Sequence, residues 1–495
     1  MSFDPGTKVE SEAPPDFSLQ TSFGDDLKYF PYQLRGECED LEAYEPGGFH
    51  PVHLGDTFDG RYKVVHKLGF GGFSTVWLAR DSASDKWAAL KIVVANESST
   101  YETRSVVSDH SVVLESEFFD VATRKFWIDG PNGHHLCLVY PVLGPDLSRL
   151  SKGIYTRFKP ELAKALMLQA AQALSVLHAE GLCHGDFTAS NIALRLKDDF
   201  HSFNEEKFLQ VFGRPRTDPV RPYSEESPEP HAPRYIVEAL DFLSSSSNLL
   251  SEKICIIDFD QSFTATSAPT KLGTPAKYLA PEVAVGEHAS PASDVWALGC
   301  AIFRVRSGED LFFDYDTNCP ADVLRQIVKT VGHLPDQWKE TRFDEDGNPT
   351  KDQGEPFWAL EETRPLEDRV HEILDEPQGL FIDQNGAPQD PAVADPAPPQ
   401  FESDGPPRVP YTEAYSGMLW KPTAVCVDGG YFVAYSDESD EMLKAFPKMA
   451  ESEATQLVDL LSKIFEYDPA KRVAAKELIG HPWFGHSQRK RKRVD

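Results

Sequence analysis

Residues 61–81, RYKVVHKLGFGGFSTVWLARD, constrain the fold more than any other part of the chain. β-branched and aromatic residues alternate with polar ones on both sides of Gly69-Phe70-Gly71-Gly72, which reads as strand, glycine-rich turn, strand. Glycines at such a turn let the backbone approach a phosphate with no Cβ in the way. A dinucleotide-binding unit needs a third glycine and then a helix. Here the third glycine is missing and the strand-like TVWLARD follows. The chain has no Gly-Lys dipeptide, so a Walker-type P-loop is excluded. Either a phosphate is held under a β-hairpin, or the glycines serve only the turn.

The pattern downstream separates two kinds of structure. KWAALKIVV (86–94) reads as a third strand and HLCLVYPVL (135–143) as a fourth, its unbroken apolar run suggesting burial on both faces. From residue 160 the period changes. PELAKALMLQAAQALSVLHAEG (160–181) places apolar residues at helical spacing, with Pro160 at its start and Gly181 as its stop. SPASDVWALGCAIFRVRSG (290–308) repeats the plan with a serine cap and a terminal glycine. A small β-rich lobe (46–143) followed by a larger, mainly helical lobe (144–485) is therefore expected, an α+β architecture with a crevice between the lobes. Residues 1–45 read as a loosely held acidic extension, 196–250 and 376–412 as insertions, and 486–495 as a basic tail.

Composition removes other classes. No run of 18 apolar residues occurs, so no membrane-spanning helix is expected, and the N-terminus lacks a secretory pattern. The seven cysteines form no CxxC pair, which argues against a zinc ribbon or a disulfide framework and for a reducing, intracellular compartment. A net charge of −30 disfavours nonspecific contact with nucleic acid or anionic membrane. It suits a basic partner, or simply keeps the chain in solution. The cluster at 489–493, RKRKR, reads as a nuclear import signal or as a solvated tail.

Several polar residues then fall in a telling order. Lys91 lies 22 residues after Gly69 inside an apolar strand, where an ammonium needs anionic partners. In HGDFTASN (184–191), Asp186 can accept or orient a hydroxyl proton and Asn191 can bind a metal through its amide oxygen. KICIIDFDQSF (253–263) sets Asp258 at the end of an apolar strand, and GTPAKYLAPE (273–282) follows. Each alone reads as an ordinary turn or strand-end group. In this order they carry a mechanism.

The chain resembles a eukaryotic protein kinase over about residues 48–484. GGFHPVHLGDTFDGRYKVVHKLGFGGFSTVWLARD (47–81) and FEYDPAKRVAAKELIGHPWF (465–484) are similar to serine/arginine-rich (SR) protein kinases. The long insertion between Asn191 and Asp258 is similar to the fungal branch of that group. The resemblance implies a bilobal kinase fold, with ATP and Mg²⁺ bound in the crevice. Leu68, Gly69, Gly71, Ser74 and Val76 would enclose the nucleotide, Lys91 would pair with its α- and β-phosphates, and Tyr140, Val142 and Leu143 would form the hinge. Asp186 would be the catalytic base; Asn191 and Asp258 would hold Mg²⁺. Glu282 would pair with Arg472, and Asp294 would anchor the catalytic loop from below. Monomeric action on Arg/Ser-rich proteins, in cytoplasm and nucleus, in the service of mRNA processing, is what the resemblance implies.

Four positions depart from that pattern. Gly185 replaces the arginine before the catalytic Asp, which argues against control by phosphorylation of the short segment from Asp258 to Glu282. Thr188 stands where a lysine is usual, and Asp260 stands where Asp-Phe-Gly has its glycine. Residues 103–114, TRSVVSDHSVVL, contain no glutamate to clamp Lys91; Asp109 is the nearest acid, and the helix is expected to be truncated or displaced. A scaffold that binds partners or ATP without useful transfer is the alternative these changes leave open.

Overall fold

The computed structural model describes residues 27–30, 38–104, 110–153, 156–224, 227–359, 362–376, 381–382, 388–389, 414–420, 424–427, 430–433 and 446–485. Its N-terminal part is one antiparallel sheet of six strands: β1 (Thr57–Phe58), β2 (Tyr62–Gly71), β3 (Ser74–Asp81), β4 (Lys86–Val93), β5 (Arg124–Gly130) and β6 (Gly133–Tyr140). Their order is β1-β2-β3-β4-β6-β5. β2 and β3 form the glycine hairpin, with Gly71 opposite Ser74 and Gly69 opposite Val76. A register shift between Lys67 and Gly69 breaks the alternation just before the turn and re-aims the residues entering it. β6 is shorter than the apolar run 135–143, because Pro141 offers no N–H to continue a ladder. The sequence reading marks no strand over β5, which pairs with β6 from Arg124↔Val139 to Gly130↔Gly133.

After β4 the chain enters α1 (Ala95–Arg104), earlier than the helix expected near 103–114. Asp109, the acid singled out there, lies outside the described residues. Ser98 fastens α1 to the sheet: its hydroxyl donates to the Val94 carbonyl at 2.9 Å and accepts from the Leu136 N–H at 2.9 Å. Tyr101, three residues on, lies on the same face of the helix.

The C-terminal part is mainly helical. α2 (Pro160–Ala179) has proline in its first turn, where no intrahelical N–H is needed, and buries Leu162, Leu166, Leu174 and Leu177 at helical spacing. It ends before Gly181, whose φ of 70° a residue with a Cβ adopts only under strain. β7 (Leu182–Cys183) and β8 (Ile192–Leu196) flank the HGDFTASN loop.

The segment 196–250 is largely ordered structure rather than a bare loop. α3 (Glu205–Phe212) buries Phe208 against Trp87 of β4, ring centroids 5.2 Å apart, and the Trp87 indole donates to the Phe203 carbonyl at 2.9 Å. Further along, Leu240 N–H donates to Lys67 O at 2.9 Å, and Val237 joins the apolar cluster of the sheet. This insertion therefore leaves the helical lobe, crosses to the β lobe and returns. Residues 38–45 also pack, contrary to a loose extension reaching to residue 45: Leu41 and Tyr44 are buried with Phe49, Val220 and Ile236. Glu39 accepts from both the Tyr44 hydroxyl and the buried Lys67 ammonium. A bare ammonium there would carry a large desolvation cost, so the pair ties this segment to β2.

β9 (Leu250–Ile256) pairs antiparallel with β8, setting Ile256 opposite Ile192. That register brings the residues after β9 beside the residues before β8. α4 (Pro291–Ser307) is capped by Ser290 and stopped by Gly308, φ 82°, within a residue of the sequence expectation. Among the described residues no helix is long and apolar enough to cross a membrane. The second expected insertion, 376–412, falls almost wholly outside the described residues.

Candidate active site

The loop 184–191 is held from below by one carboxylate. Asp294, near the start of α4, accepts from the backbone N–H of His184 at 2.8 Å and of Gly185 at 2.9 Å. Gly185 takes a φ of 77°, and a Cβ built on it would meet the Gln261 carbonyl oxygen at 2.2 Å. The missing arginine thus has a structural cause here: the position tolerates no side chain. Asp186 follows. Its Oδ2 accepts from the Asn191 amide at 2.7 Å, while its Oδ1 is buried with no hydrogen-bond partner. Burial first, and then the charge of Asp258, push the Asp186 carboxyl up to about 7, against the opposing Asn191 N–H. Asn191 gives a second N–H···O bond to the Asp186 carbonyl at 2.9 Å, so its amide oxygen is the atom left for a cation.

The β8–β9 register places Asp258 beside this loop, with the Ile257 N–H donating to the Asn191 carbonyl at 3.0 Å. Asp258 adopts the left-handed region, φ 64° and ψ 70°, where Asp is tolerated better than most residues. Phe259 then packs between Phe119 (5.8 Å) and His184 (5.0 Å), locking the turn. Across the crevice stands Lys91, central in β4 between Val76 and Leu138. Its ammonium meets Asp258 Oδ1 at 2.9 Å and Asp260 Oδ2 at 2.7 Å. Burial opposes its charge, but the two carboxylates outweigh burial and hold its pKa well above the usual lysine value. Two acids sharing one ammonium do not ionise alike. Asp258 is held below the ordinary range by Lys91 despite its burial, whereas burial and the neighbouring Asp258 push Asp260 the other way against the pull of Lys91.

The donor set suits a hard divalent cation: carboxylate and amide oxygens, with no soft ligand among them. The unpartnered Asp186 Oδ1 in the same crevice is a buried acceptor waiting for a donor. In the sheet that carries Lys91, the hairpin holds Gly69 and Gly71, with Gly71 facing open space and Ser74 buried. Leu68, Val76 and Tyr140 are partly buried against the core, Val142 is fully buried in it and Leu143 is intermediate.

Sequence comparison agrees with this geometry. A family profile described as Protein kinase domain matches residues 62–201 and 245–484, leaving out the lobe-bridging part of the insertion. This chain belongs to the protein kinase family. The kinase is 28% identical over 325 residues to serine/threonine-protein kinase SRPK of Physarum polycephalum, covering 60% of this chain and 73% of that protein. It is 35% identical over 176 residues to SRSF protein kinase 3 of Homo sapiens, 33% of this chain and 30% of the relative. With protein kinase dsk1 of Schizosaccharomyces pombe it shares 34% over 171 residues, 32% of this chain and 31% of the relative. These relatives carry serine/threonine-protein kinase and SRSF protein kinase names, and a protein kinase domain uses ATP with a divalent metal.

The structure brings Lys91, Asp186, Asn191 and Asp258 together, and Gly69 pairs with Val76, the neighbour of Lys91 in the same sheet. Glu282 and Arg472 meet as anticipated, Nη1 to Oε1 at 2.8 Å and Nη2 to Oε2 at 2.9 Å, both buried. Thr188 is buried and brings no charge to the loop. Sequence reasoning singled out Asp260 as a departure from Asp-Phe-Gly but missed its bond to Lys91. Tyr101, whose ring lies 5.1 Å from the Lys91 ammonium, was missed altogether. The available signal was the pairing of an unusual acid after Asp-Phe with a missing glutamate upstream.

Proposed function

We propose that this kinase transfers the γ-phosphoryl group of Mg·ATP to serine hydroxyls in basic, Arg/Ser-rich proteins, as a monomer acting in the cytoplasm and nucleus on factors of mRNA processing. One observation carries the transfer step: Asp186 offers a buried, unpartnered Oδ1 while Asn191 fixes its other oxygen. An acceptor so placed orients a serine hydroxyl and takes its proton as the phosphorus–oxygen bond forms. Mg²⁺, when bound, neutralises charge on the phosphates, and Asn191 and Asp258 are the residues that would hold it. Lys91 pairs with phosphate oxygens; Leu68, Gly69, Gly71, Ser74 and Val76 cover the nucleotide, with Tyr140, Val142 and Leu143 at its base end. The net charge of −30 and the likeness to relatives named SRPK and SRSF protein kinase 3 support a basic substrate.

A weakly clamped Lys91, Thr188 and Asp260 were the features that favoured a scaffold without transfer. Lys91 has two carboxylates within 3 Å, at 2.9 and 2.7 Å. Thr188 still removes one cation from the transition state, which lowers the rate by about 10²-fold without abolishing it. The test is labelled phosphate transfer from ATP to an Arg-Ser repeat peptide by the full chain and by Asp186→Ala. A loss of about 10²–10⁴-fold in the variant is expected. Equal labelling by both proteins, or none by either, overturns the reading.

A further inference from the structure

Lys91 needs an anion that stays with it when Asp258 turns to a metal, and the helix next to the sheet supplies none among the described residues. Glu102, the acid of α1 nearest in sequence to Tyr101, is exposed and pairs with Lys125 at 3.3 Å. The tightest contact to Lys91 is Asp260 Oδ2 at 2.7 Å, with Lys91 only 12% exposed and Asp260 18%. We propose that Asp260 is the positioning residue for Lys91 in this kinase, replacing a helix-borne carboxylate with one from the turn after Asp258. This rests on reading the crevice as a Mg·ATP phosphoryl-transfer site.

The backbone explains why the turn can carry an acid. Asp258 takes the left-handed conformation, but Asp260 does not, so a side chain at Asp260 meets no φ penalty. The short turn Phe259–Gln261 brings the Asp260 carboxylate back toward β4. α1 still contributes, by a different group: the Tyr101 ring lies 5.1 Å from the Lys91 ammonium. Ser98, bonded to the Val94 carbonyl and the Leu136 N–H, holds α1 at that distance. The result is a division of labour. Asp260 retains Lys91, and Asp258 is released to hold the cation. Without Asp260, Lys91 would lean on Asp258 alone and compete with the cation for it.

Competition of that kind separates positioning from plain structural support. The full chain is compared with Asp260→Asn, which keeps shape and loses charge, and with Asp260→Glu, which keeps charge. Two readouts are taken: affinity for a fluorescent ATP analogue across a Mg²⁺ titration, and kcat for Arg-Ser peptide phosphorylation. In Asp260→Asn, the Mg²⁺ concentration for half-maximal nucleotide binding rises about tenfold, and kcat falls about 10²-fold as Lys91 is misplaced. Asp260→Glu stays within a few-fold of the parent in both. Should Asp260→Asn not fold, Asp260→Ser repeats the comparison. A neutral variant matching the parent in both readouts overturns the proposal, as does an Asp260→Glu variant falling as far as the neutral one. If the parent binds nucleotide but transfers no phosphate, the proposed function fails while the Mg²⁺ titration still decides the role of Asp260. A parent that binds no nucleotide overturns both.

Discussion

Replacing Arg472 with methionine should cost the fold about 3–5 kcal/mol, the range for breaking a buried ion pair from one side. Arg472 and Glu282 are 0% and 1% exposed, and the pair is bidentate at 2.8 and 2.9 Å. Arg472 also donates to the Glu466 carbonyl at 2.9 Å and the Ala292 carbonyl at 2.8 Å. After substitution Glu282 keeps only the Ser293 hydroxyl, at 2.8 Å. A buried carboxylate with one neutral donor has a raised pKa and escapes the penalty by taking a proton. The deficit relative to the parent should therefore shrink as pH falls. Changing both partners, Glu282→Leu with Arg472→Met, removes the uncompensated charge, and the methionine can pack on Trp296, whose ring lies 5.0 Å from the guanidinium. The double variant should regain most of the loss. Urea unfolding of parent, single and double variants at pH 7.5 and 5.5 is the assay. A single variant within 1 kcal/mol of the parent, or a double variant as unstable as the single, refutes the reasoning.

Two further outcomes follow from local geometry. Gly185→Ala forces a Cβ to 2.2 Å from the Gln261 carbonyl at a φ of 77°; a strain of about 1–3 kcal/mol and a fall in kcat of about 10²-fold are expected in thermal melts and steady-state assays, and unchanged kinetics would count against the loop geometry. His50 is buried with its Nδ1 unpartnered, and burial, then His135, hold its pKa at about 4, below the usual 6.5. Between those values the unfolded chain binds more protons, so His50 costs roughly 2 kcal/mol of stability as pH falls from 7 to 5; urea unfolding of His50→Phe should show a pH dependence flatter by that amount, and identical slopes would refute it.

Local patterns in the sequence were enough for the hairpin 62–81, the strand of Lys91, and the helices Pro160–Ala179 and Pro291–Ser307. Apolar period, caps and glycine stops act over a few residues, so they can be read without knowing the neighbours. The order of Lys91, Asp186, Asn191 and Asp258 likewise pointed to the crevice, because a mechanism requires those groups together. Which carboxylate would hold Lys91 was not legible. That depends on a contact across 169 residues, made by the β8–β9 register and the turn after Asp258. The crossing of the 196–250 insertion to Trp87 and Lys67, and the burial of Glu39, were decided in the same way. Pairings between distant segments are set by packing and register in three dimensions, where local periodicity carries no information about the partner.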